Sequence, residues 1–130
     1  MRAGQISSFG VDSLEFVERP TPSPETGDVL VRVRAISFNF RDLLMMKGLY
    51  NPKLRLPRIP CSDCAGEVAA VGDGVTAWKP GDRVAGIFMQ TWLEGPLTPA
   101  RARGALGGDI VAPIRLPHFC AVQLTELEFS

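Results

Sequence analysis

Ser37-Phe38-Asn39-Phe40-Arg41-Asp42-Leu43-Leu44-Met45-Met46-Lys47-Gly48-Leu49-Tyr50 sets one short helix between apolar, strand-like runs and brackets it with polar side chains. Asn39 is a favoured N-cap, Asp42 sits in the positive first turn, Lys47 in the last turn, and Gly48 can adopt a left-handed stop. These signals predict a helix over about 40–47. Asn39 lies just before its start and Tyr50 just after its end, an arrangement that suits a reaction site without a metal. On residue types alone, a capping Asn and a half-buried Tyr account for the same pattern, so a site needs further support.

Outward from this stretch, the chain reads as a turn-rich β fold. Asp28 opens the clearest strand, expected over 29–38. Val29, Val31, Val33 and Ala35 share one face, while Leu30, Arg32, Arg34 and Ile36 share the other. Further strands are expected at 14–17, 65–71 and 83–88, separated by Pro20-Thr21-Pro22-Ser23-Pro24, Gly72-Asp73-Gly74 and Lys79-Pro80-Gly81-Asp82. The 51–60 stretch holds three prolines and reads as a loop over the site. Beyond Phe88 no clear helix or strand is legible. The 13 glycines and 11 prolines are more than a helical bundle tolerates.

Composition narrows the function. The 130 residues carry 14 basic and 14 acidic side chains, which gives no bulk attraction to nucleic acid or an anionic membrane. Apolar runs fall well short of the ~20 residues of a membrane helix, and the start of the chain lacks a signal-peptide pattern, so a cytoplasmic location is expected. Three cysteines suit reduced thiols rather than a disulfide framework.

Several motifs invite stronger readings. Cys61-Ser62-Asp63-Cys64 has the spacing of a zinc or redox pair, with His118 and Cys120 as conceivable partners. It precedes a strand instead of opening a helix, and His-x-Cys is an atypical second pair, so two small buried thiols at a tight strand entry fit better. Gly72-Asp73-Gly74-Val75-Thr76-Ala77 formally satisfies a dinucleotide fingerprint, but Pro80 and Gly81 stop any helix that would hold a pyrophosphate, which leaves a tight turn. His118 is the only histidine and no Ser stands in a nucleophile elbow, which disfavours hydrolysis. Trp78 and Trp92 read as packing residues, with Trp92, Met89 and Phe88 able to wall an apolar pocket.

Taken in order, Asn39-Phe40-Arg41-Asp42-Leu43, Gly48-Leu49-Tyr50, Ile59-Pro60, Ala65-Gly66-Glu67-Val68, Val71-Gly72-Asp73-Gly74-Val75 and Lys79-Pro80-Gly81-Asp82-Arg83-Val84 resemble the GroES-like catalytic domain of the medium-chain dehydrogenase/reductase superfamily. Gly48-Leu49-Tyr50 after Asn39 is similar to the quinone oxidoreductase and enoyl reductase branch. The resemblance runs over 1–108 and implies a mainly β, partly open barrel with short helices and no Rossmann domain. The 109–130 tail diverges, and truncation, a shifted frame or an alternative ending stay open. Zinc-dependent members carry Cys where this chain has Asn39 and Gly-His-Glu where it has Cys61-Ser62-Asp63, which implies that no metal is bound.

The resemblance further implies hydride transfer from NADPH, with NADH possible, to a small-molecule quinone or α,β-unsaturated carbonyl. Tyr50 and Asn39 are the implied catalytic pair, with Tyr50 as donor to the developing oxyanion. Asn39 and Asp42 are the implied cofactor-side residues, Asp42 also fixing the helix start. The cofactor would be held mainly by a domain outside this chain, so the isolated chain is expected to be inactive. Unpaired sheet edges predict a homo-oligomer or a self-associating fragment. The alternative is a noncatalytic GroES-like binding module.

Overall fold

The computed structural model describes residues 1–90, 92, 94–102, 105 and 106. The tail beyond 106, with His118 and Cys120, lies outside them. The described elements run β1 (Arg2–Ile6), one 3-10 turn at Val11–Ser13, β2 (Leu14–Glu18), β3 (Val29–Ser37), α1 (Phe40–Met46), β4 (Asp63–Val71), β5 (Arg83–Ala85) and α2 (Pro99–Ala102). Two antiparallel sheets result, β1-β2 and β3-β4-β5. The fold is mainly β with open sheets and short helices, as the sequence predicts.

In the three-stranded sheet, Val29, Val68 and Val84 form the buried centre, with Val31, Val71, Val75 and Trp78 packed around them. Each fully buried valine contributes about 1.5–3 kcal/mol of transfer free energy. Trp78 is therefore a packing residue, as expected.

The even alternation expected along 29–38 does not hold. Val29 is buried, but Val33 is 38% exposed and Ile36 is 51% exposed. The β3-β4 register also shifts twice, between Leu30 and Val31, where Ala69 is the extra residue on β4, and between Val33 and Ala35, where Arg34 is the extra residue on β3. The second puts its extra residue on β3 and so breaks that strand's strict period of two from Arg34 onward.

β1 is not legible in the sequence because its inward side carries a polar group. Gln5 is buried, and both ends of its amide are engaged: Nε2 donates to Glu15 Oε1 at 3.0 Å, and Arg19 Nε donates to its Oε1 at 3.1 Å. β5 ends at Ala85, short of the Phe88 that the sequence pattern predicts. Its partner β4 begins at Asp63, and the last rung before that edge is Gly86 N–H to the Cys64 carbonyl at 2.9 Å.

α1 forms where the local signals put it, one residue shorter than predicted. Asp42 Oδ2 reaches back to accept the Asn39 backbone N–H at 2.8 Å, the carboxylate arm of a capping box. Asp42 and Met45, three apart, form its buried stripe. The helix ends in a Schellman motif: Gly48 has φ 71°, its N–H donates to Met45 O at 3.0 Å, and Leu49 N–H donates to Leu44 O at 2.8 Å. The turn sends the chain back along the helix.

Candidate active site

Two side-chain groups meet around the first turn of α1. The first joins the helix start to the β4 entry. Asn39 Nδ2 donates to Asp63 Oδ2 in a short hydrogen bond, and Ser62 Oγ approaches the same oxygen at 3.5 Å. Asp42 is 2% exposed, and its second oxygen, Oδ1, is buried with no hydrogen-bond partner among the described residues. Asn39 is thereby held twice, through its backbone by Asp42 and through its amide by Asp63. Through Oδ2, Asp42 fixes the backbone of Asn39.

The second group holds Tyr50. The Arg41 guanidinium lies 4.7 Å from the centre of the Tyr50 ring and 4.6 Å from that of Phe88. Arg41 Nη1 also donates to the Leu106 carbonyl at 3.2 Å. Tyr50 remains 53% exposed, so its phenol is open to a small molecule. The structure thus places the phenol beside a side chain of the turn that Asn39 caps. The reversal at Gly48 makes this possible, because a continuing helix would carry Tyr50 away at about 1.5 Å per residue.

Cys61 adjoins the first group and has φ 77°, the left-handed region that costs a non-glycine residue roughly 1–2 kcal/mol. Cys61→Gly is expected to raise stability by about 1 kcal/mol, read as a higher urea midpoint at unchanged slope. An unchanged or lower midpoint would show that the thiol's packing outweighs the backbone cost.

Burial, and then the negative charges of Asp42 and Asp63, push the Cys61 thiol from its ordinary 9.0 up to about 11. Burial also raises Cys64, with a hydrogen bond from the Gly86 backbone partly offsetting it. Both are free, half-buried thiols at a strand entry, more exposed than the sequence predicts. The folded chain holds the Cys61 proton more tightly than the unfolded chain, so this contribution to stability is full below pH 9.0 and is lost as pH rises toward 11. Alkylation of folded protein at pH 7 is accordingly expected to be slower than that of free cysteine and to accelerate above pH 9. Rapid modification at pH 7 would restore the redox reading.

With this geometry in place, similarity to known proteins becomes decisive. The model of the alcohol dehydrogenase GroES-like domain matches residues 25–113. The chain belongs to that family. Among curated relatives, a zinc-type alcohol dehydrogenase-like protein of Schizosaccharomyces pombe is 41% identical over 105 residues, covering 80% of this chain and 30% of the relative. The chloroplastic quinone-oxidoreductase QR1 of Triphysaria versicolor is 42% identical over 92 residues, covering 68% and 28%. Of solved structures, a quinone oxidoreductase of Escherichia coli complexed with NADPH aligns at 34% identity with a TM-score of 0.61, covering 65% of this chain and 26% of that one. A protein of Sinorhizobium meliloti 1021 aligns at 34% identity over 92% of this chain and 38% of that one, with a TM-score of 0.76. The chain spans under a third of the length of the first two relatives.

Within this GroES-like domain, the other motifs take structural roles. Gly72-Asp73-Gly74 is a turn closed by Val75 N–H to Gly72 O at 3.3 Å and tied to Gly27 through the Asp73 carbonyl at 2.9 Å, with no helix following it. It offers no cradle for a pyrophosphate. Trp92 donates its indole N–H to Gly95 O at 2.8 Å and so closes a local turn, while Phe88 stacks on Arg41. Among the described residues no group of three or more His, Cys, Asp or Glu side chains is arranged to hold a metal. Nor is any described helix long and apolar enough to cross a membrane.

Sequence reasoning missed Arg41 and Asp63 as parts of the site, and named Phe88 only as a candidate wall of an apolar pocket with Trp92 and Met89. Asp63 carried a signal, since it stands in the run aligned with Gly-His-Glu. The pairing of Arg41 with Phe88 carried none, because it spans a distance in sequence that no local pattern records.

Proposed function

We propose that this chain is the substrate-side domain of a zinc-independent, NAD(P)H-dependent oxidoreductase acting on a quinone or an α,β-unsaturated carbonyl. The observation that carries the reading is a half-exposed phenol held beside the helix turn that Asn39 caps. When bound, a reduced nicotinamide supplies hydride. The described residues fit only the reacting end of such a cofactor, through Asn39, because its pyrophosphate finds no glycine-rich helix start among them.

Tyr50 supplies what the substrate oxygen then needs. Negative charge gathers there as the carbon is reduced, and the phenol O–H donates a hydrogen bond and then its proton, leaving an enol or hydroquinone oxygen. Asn39, with one N–H committed to Asp63 and its amide oxygen facing the Asp42 backbone N–H as the other arm of the capping box, keeps its second N–H for the ribose or the substrate carbonyl. Zinc is disfavoured because the amide and carboxylate satisfy one another, and neither is the thiolate or imidazole that zinc sites of this fold use.

The test is a titration with duroquinone, whose ring carbons are all substituted and so spare the thiols. Its expected result is that NMR signals of Tyr50 and the Asn39 side chain move together, with no oxidation of added NADPH by the chain alone. Shifts confined to other faces would overturn the site, and sustained NADPH oxidation would overturn the division of labour.

A further inference from the structure

Arg41 has no part in the hydrogen bonds that start α1, and the donor reading of Tyr50 does not require it. Its position is nevertheless unusual for a surface arginine. It lies in the first helical turn, where the aligned peptide dipoles disfavour a cation. Its Nε is buried with no hydrogen-bond partner among the described residues. A side chain that merely kept the helix soluble would extend into water and avoid both costs.

What holds it is two ring faces and one carbonyl. Tyr50 and Phe88 sit on the guanidinium at nearly equal distances, 4.7 and 4.6 Å, and Leu106 O accepts from Nη1 at 3.2 Å. Cation–π attraction strengthens as the cation is withdrawn from water, which the buried Nε shows has happened here. Phe88 is itself anchored, since Leu106 N–H donates to its carbonyl at 2.9 Å and Met89 bridges Ala105. Tyr50, by contrast, is half in water and follows a helix end, so nothing else described on its exposed side fixes the ring.

We infer that Arg41 is a positioning residue, clamped on Phe88 and holding the Tyr50 ring in one orientation. Its consequence for the reaction rests on the donor reading of Tyr50, whereas the clamp itself does not. Lysine cannot replace it, because an ammonium offers a point charge without the planar face that stacks on two rings at once.

The chain contains one tyrosine, so ring-labelled protein gives a single set of tyrosine signals. In the full chain, nuclear Overhauser contacts are expected from Arg41 Hδ to both the Tyr50 and Phe88 rings. Arg41→Lys and Phe88→Leu should each shift the Tyr50 ring signals and abolish its contacts to residue 41, while Tyr50→Phe keeps the contacts to the new ring. Phe88→Leu leaves both other partners intact and remains a decisive test should Arg41→Lys fail to fold. Unchanged Tyr50 signals in Phe88→Leu, or absent Arg41-to-ring contacts in the unmodified chain, would overturn the clamp. Loss of the donor role would instead show as unimpaired turnover in Tyr50→Phe with these contacts retained.

Discussion

Tyr50→Phe is expected to lower turnover by about a hundredfold when this chain is joined to the nicotinamide-binding part of a quinone oxidoreductase, with substrate affinity changed little. The substitution deletes one oxygen and keeps the ring, so the stacking on Arg41 survives and the loss reports the hydroxyl alone. A donor aimed at charge that develops only in the transition state is worth roughly 2.7–4 kcal/mol, and the lower end of that range is the source of that factor. Because the ground-state carbonyl carries less charge, kcat and kcat/KM should fall together while KM stays nearly constant. Steady-state rates with duroquinone and NADPH measure this. Undiminished turnover would remove Tyr50 from the chemistry, and a rise in KM alone would reduce it to a binding contact.

Gly66→Ala is expected to cost about 3 kcal/mol of folding stability, enough to bring a domain of this size close to unfolding. Gly66 lies in the central strand β4, opposite Val33 on one side and Val84 on the other. A Cβ there would fall on the Arg32 carbonyl, nearer than nonbonded atoms approach, with Val31 Cγ1 also in contact at 2.9 Å. The obstacle is backbone in a sheet, so no side chain can swing aside. Ala69→Gly on the same strand provides the contrast: Ala69 is exposed, and the change should cost only about 0.5–1 kcal/mol of backbone entropy. Urea unfolding of both variants decides it, since comparable midpoints would mean that the strands move apart easily at Gly66.

The parts of the fold legible in the sequence are those whose causes are local. Asn39, Asp42 and Gly48 specify α1 through capping, dipole and left-handed backbone, and each does so in the structure. β2, β3 and β4 are likewise legible to within two residues of their ends, because apolar and β-branched runs set off by Asp, Gly and Pro punctuation leave few alternatives. β1 is hidden by Gln5, whose burial is compensated by Glu15 and Arg19, partners that only the folded hairpin brings close. Cys61 shows a different limit: the left-handed conformation is imposed by the strand entry against the residue's own preference. The site divides the same way, with Asn39 and Tyr50 named from the chain, while Asp63 and the Arg41–Phe88 stack depend on topology.

The two bulges of the antiparallel β3-β4 pair have a shared consequence. Ala69 is the extra residue on β4 and Arg34 the extra residue on β3, so each offsets the other, and the pairing of Val29 with Val71 and of Ser37 with Asp63 belongs to one frame. A strand pair with either irregularity alone would arrive at its far end out of step by one position, turning Asp63 from Asn39 toward the opposite side of the sheet. Shortening the chain at Ala69 or at Arg34 should therefore disarm the site more thoroughly than removing both, and a gene that loses one residue can recover by losing the other.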